Sequence, residues 1–185
     1  MAFYGAEQVM DDVAAFIVSD LGTHLAAVQA AALADGAPAL APVPAVPAAG
    51  DVFIASAGID MSKPLGNRVV MVLLVDSYDA GDRPNGISSV SFTLGLRVSE
   101  PSGRTVNTSR RLGRYVQALV KMFNADATCG TPYIIQIGYP GPAEYSSEST
   151  GARTPVYQDA FLPLSASIQE CRRVAGPRPG HCRPT

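Results

Sequence analysis

Residues 89–100 read SVSFTLGLRVSE. Val90, Phe92, Leu94, Leu96 and Val98 fall on one side of an extended chain, and Ser91, Thr93, Gly95 and Arg97 on the other. A period of two over this length predicts a strand with one face buried and one face in water, as in an antiparallel sheet. Pro101 to Gly103 ends it. Leu112, Tyr115, Val116, Leu119, Val120 and Phe123 then recur at steps of three and four, which predicts a helix to about Asn124 with those residues on its core face. Thr108 or Ser109 is a suitable cap for its start. Tyr133 to Tyr139 reads as a strand. Tyr157 to Ile168 reads as another, with Ala160, Leu162, Leu164, Ala166 and Ile168 on one face. Pro163 within it points to an edge strand or a bulge, because proline cannot donate to a ladder.

Toward the N-terminus, Val9, Val13, Phe16, Ile17, Leu21, Leu25, Val28 and Leu33 keep helical spacing from Ala6 to about Ala34, with Gly22 as a weak point. Gly36 stops the helix. Residues 37–50 carry Pro38, Pro42, Pro44 and Pro47 among alanine and valine. Each proline fixes φ and removes an amide donor, so this stretch is predicted to be an extended, semi-rigid linker. Asp51 to Ala57 reads as a short strand. Arg68 to Asp76 runs apolar without alternation and is expected to be buried on both faces. Tyr78 to Gly86 contains Gly81, Pro84, Asn85 and Gly86, a turn between antiparallel strands.

The expected fold class is therefore α+β: a small, mostly antiparallel sheet with an N-terminal helix and a second helix packed on one face. Residues 1–35 hold the first helix, 36–50 the linker, 51–170 the α+β core and 171–185 a basic tail rich in proline, glycine and arginine. The chain has 185 residues, 47% of them hydrophobic, with a formal net charge of -2. That balance makes no strong statement about nucleic acid or membrane. No acid follows Glu170, however, while Arg172, Arg173, Arg178, His181 and Arg183 crowd the end. No signal peptide and no uninterrupted apolar run long enough for a bilayer is read here, so a soluble protein made in a cytosol is expected.

Reactive constellations are not found. The three cysteines, Cys129, Cys171 and Cys182, fit neither a disulfide framework nor a zinc-finger spacing, and Cys171, His181 and Cys182 lack a fourth ligand. His24 reads as an ordinary helical histidine. There is no phosphate-cradling glycine loop, no nucleophile elbow and no HExxH. Asp11 with Asp12, and Asp76 with Asp79, are pairs of a kind common at turns and helix starts. No catalytic, cofactor-binding or metal-binding residue is assigned, and no cofactor is expected. The residues left as a candidate interaction surface are Arg104, Arg110, Arg111, Arg114, Glu144, Glu148 and Arg153. Cations in the first turns of a helix oppose its dipole by roughly 0.3–1 kcal/mol each. Arg110, Arg111 and Arg114 therefore serve either pairing with acids on the sheet or contact with an acidic partner or nucleic acid. The stretch from Pro140 to Pro155 is longer than a hairpin needs and is expected to be an unpaired polar loop reaching beyond its own subunit. On that view, shortening it leaves the monomer fold intact.

The order helix, linker, short strand, strand, strand, helix, strand, long loop, strand resembles the tail terminator (tail completion) proteins of tailed bacteriophages. The residues that carry the resemblance are Arg68 to Asp76, Val90 to Val98, Ser109 to Asn124, and Tyr133 to Tyr139 with Tyr157 to Ile168. It spans about Ala6 to Glu170 and rests on element order rather than a signature motif. The long alanine–proline linker and the arginine tail depart from a compact family member. The resemblance implies a structural virion protein without catalysis, assembled in the host cytoplasm. It would form a homo-oligomeric, hexameric ring that caps the major tail tube protein and meets a head-completion, stopper or adaptor protein. DNA would pass through without specific binding, and no membrane is involved. The alternatives are another neck or tail structural protein, such as a head-completion or stopper protein or a tail-tube subunit, and a nucleic-acid-binding module using the arginines.

Overall fold

The computed structural model describes residues 5–40, 44, 46–55, 69–79, 86–100, 105–148 and 156–169. The elements are α1 (Ala6–Ala34), a 3-10 turn (Ala49–Asp51), β1 (Val52–Ala55), β2 (Val69–Asp79), β3 (Ile87–Glu100), α2 (Thr105–Ala125), β4 (Ile134–Gly138), β5 (Glu144–Glu148) and β6 (Val156–Gln169). The six strands form one sheet in the order β1-β2-β3-β6-β4, with β5 also on β6. β1 runs parallel to β2, and every other pair is antiparallel. This is the α+β arrangement expected, with both helices against the sheet.

The spine is β3 against β6, paired without interruption from Ile87↔Gln169 to Glu100↔Val156. Alternation on both strands sends Val90, Phe92, Leu94, Leu96 and Val98, together with Ala160, Leu162, Leu164, Ala166 and Ile168, to one face, and all ten are buried. The helices cover that face. Leu112, Tyr115, Val116, Leu119 and Phe123 of α2 are buried as their spacing demands, joined by Ala118 and Met122. From α1 come Val9, Met10, Val13, Phe16, Ile17, Leu21, Leu25 and Val28. Phe16 and Phe123 meet with ring centroids 6.1 Å apart and planes tilted by 44°, a favoured geometry for an aromatic pair. Full burial of each large apolar side chain contributes about 1.5–3 kcal/mol.

The end of α1 is set by Gly36. Its φ of +80° admits glycine at no steric cost. The amide of Gly36 donates to the Leu33 carbonyl and that of Ala37 to the Ala32 carbonyl, the two bonds of a Schellman motif. By length and composition alone α1 could cross a membrane, although Asp11, Asp12 and Asp20 interrupt its apolar run. Its apolar stripe is instead used against α2 and the sheet. Gly22 causes no break. A Cβ there would come within 3.0 Å of Val46 Cγ2, so glycine gives room for the alanine–proline segment to lie against α1. That segment is more than a spacer. Leu40, Pro44 and Pro47 are buried, Gln29 donates to the Pro44 carbonyl at 3.4 Å, and Arg114 donates to the Pro38 carbonyl at 3.1 Å.

Four further expectations are corrected. α2 begins at Thr105, and Thr108 is fully buried inside it rather than capping its start. β2 is buried on both faces only from Val69 to Leu73; beyond that, Val75 is exposed. β6 is an interior strand despite Pro163. β5 pairs with its first part, Tyr157 to Phe161, and β4 with its last, Ser165 to Ile168. Pro163 sits in the gap between these two pairings, where no ladder donor is called for. Finally, the stretch from Pro140 to Pro155 is not an unpaired loop, because Glu144 to Glu148 forms β5; residues 149–155 lie outside the described residues.

β5 therefore satisfies backbone groups of β6 that would otherwise form an unpaired edge. Replacing residues 144–148 by a short glycine connection is expected to lower the urea midpoint of unfolding, not leave it unchanged. An unaltered midpoint in equilibrium denaturation would show that β5 adds nothing to the sheet.

Candidate functional site

α2 presents its arginines unevenly because they fall on different sides of the helix. Arg110 is exposed, whereas Arg111 and Arg114 are buried along the stripe that carries Tyr115 and Ala118. Within this chain the two buried arginines do not form a surface for a partner. Arg114 donates to a backbone carbonyl of the alanine–proline segment, not to a sheet carboxylate. Glu144 is exposed at the start of β5, and Glu148 lies at its end, paired along the backbone with Tyr157. Arg104 and Arg153 lie outside the described residues. Arg110 on α2 and Glu144 on β5 stand on separate elements.

The acid–base pair on the sheet is a different one. Arg97 and Asp159 are directly opposed on β3 and β6. Arg97 Nε donates to Asp159 Oδ1 at 2.7 Å, and Nη2 to Oδ2 at 2.6 Å. The side chains are only 13% and 12% exposed. A bidentate, mostly desolvated pair fixes the register of the two central strands on the face away from the helices. Near it Phe161 lies against the backbone at Gly95, where an added Cβ would touch its ring at 3.6 Å. The alternation of β3 marks Arg97 as outward, but only the register reveals Asp159 as its partner.

A second polar centre sits where α1 meets the turn after α2. The Asp126 carboxylate accepts hydrogen bonds from the Thr128 hydroxyl at 2.6 Å, the Thr128 amide at 2.9 Å and the Gly130 amide at 2.9 Å. The Thr128 bonds hold its pKa below the usual carboxylate value. The turn places Cys129 at φ 51° and buries it. Burial first, then the carboxylates of Asp126, Asp12 and Asp20, push the thiol up to about 12. Tyr133 donates its hydroxyl to Asp12, and its carbonyl accepts the Gln169 amide at 2.8 Å. Burial also raises the Tyr139 phenol, whose hydroxyl donates to the Val120 carbonyl at 3.2 Å. Among the described residues no group of three or more His, Cys, Asp or Glu side chains could hold a metal ion.

Among the described residues, exposed large apolar side chains lie on both edges of the sheet as well as at Leu33, Val46, Val75 and Phe161. Phe53 and Ile54 on β1 are 40% and 41% exposed, and Ile135 on β4 and Tyr145 on β5 are 46% and 60% exposed. Residue-type motifs do not reveal these positions, because edge status depends on strand order.

No family model matches the chain, and no curated protein does. Among solved structures, a chain from the virion of a native gene transfer agent particle is similar, with a TM-score of 0.35 and 12% identity. The likeness covers 66% of this chain and 81% of that one. A likeness at this level assigns no function.

Two outcomes are expected from this geometry. Arg97→Met alone leaves Asp159 without its partner and is expected to destabilise the fold by about 3–5 kcal/mol at most, less where water reaches the pair. The double change Arg97→Met with Asp159→Leu should recover most of that loss in chemical denaturation. Equal losses in the single and double variants would show that the pair does not act as a unit. The Cys129 thiol is also expected to resist iodoacetamide in the folded protein at about pH 8 and to react once the chain is unfolded. Because its folded pKa lies above the ordinary value of 9.0, the neutral thiol's contribution is complete below that value. It is lost as pH rises through it toward about 12. Rapid alkylation of Cys129 in the native state would contradict the burial.

Proposed function

We propose that this chain is a non-catalytic structural protein of a phage-like particle, a tail terminator whose copies form a ring joining tail tube to head. The observation that carries the reading is the placement of Phe53 and Ile54 on one edge of the sheet and of Ile135 and Tyr145 on the other. Isolated proteins protect sheet edges with charge, proline or cover. β1 reads Val52-Phe53-Ile54-Ala55 and carries none of the first two. Two unlike edges at opposite ends of one sheet suit a head-to-tail interface, and head-to-tail contacts close into rings when the rotation allows. The order of elements supports the same reading through its resemblance to tail terminators. The partners on this reading are further copies of the chain, the major tail tube protein and a head-completion, stopper or adaptor protein.

The expected result is a discrete ring by mass photometry and electron microscopy of the purified protein or of particles containing it. Ile54→Asp should leave the monomer folded, since the side chain is partly in water, and should abolish the ring. Loss of the gene should give tails of uncontrolled length; filled heads that leak DNA would favour a stopper protein instead. A protein that stays monomeric at micromolar concentration and is absent from particles ends the proposal.

A further inference from the structure

We draw no further inference here: the strongest candidate, the cross-strand row of Phe53, Val72, Gly95 and Phe161 on the face of the sheet away from the helices, is a partly exposed apolar patch, and nothing among the described residues shows what covers it.

Discussion

Everything in this fold depends on the continuous antiparallel pairing of β3 with β6. Fourteen-residue strands lie side by side, and their shared alternation creates one apolar face wide enough for two helices. That pairing also decides where polar groups can go. Arg97 and Asp159 meet because the same register that aligns Leu96 with Ala160 places them opposite one another. A slip of one residue would send the apolar set outward and part the ion pair at once. Hydrophobic patterning and ion pairing thus specify the same register by independent means, on opposite faces.

The helices depend on this face differently. α2 is amphipathic and brings two arginines inward with its apolar side. One of them, Arg114, is answered by the Pro38 carbonyl, so the alanine–proline segment completes the solvation of a buried cation. A proline-rich stretch is well suited to that task. Its carbonyls stay available because the chain makes few hydrogen bonds to itself. α1, by contrast, is joined to distant parts of the chain at its polar margin, through Asp12 to Tyr133 and through Gln29 to Pro44.

How legible this was in the sequence depends on the kind of signal. The strands at 89–100 and 157–168 and both helices announced themselves through periodicity, since a large apolar face leaves a regular trace. β5 did not. Glu144-Tyr145-Ser146-Ser147-Glu148 has no apolar alternation, and it is a strand only because β6 offers it an open edge. The fate of Arg111 and Arg114 was equally hidden: helical spacing showed which side they shared, but not that the side would be covered. Pro163 misled because a proline's tolerance depends on which neighbour is missing, and here two short strands leave a gap at that one residue. The edge apolar groups became visible only once strand order was known, and the carboxylates around Cys129 come from elements far apart in sequence.

The separation of Asp12 from Tyr133, 121 residues along the chain, has a consequence for biogenesis. α1 is translated well before α2, the sheet and the turn that receives Asp12. At the usual pace of about 5–20 residues per second, the 121 residues take about 6–24 s to make. Through the earlier part of that interval the 29-residue helix α1 has only the adjoining alanine–proline segment to lie against, and α2 reaches it late. The nascent chain is therefore most exposed to aggregation and to chaperone capture during these seconds. Folding completes only when β6 emerges and closes the central ladder from the far side of the sequence.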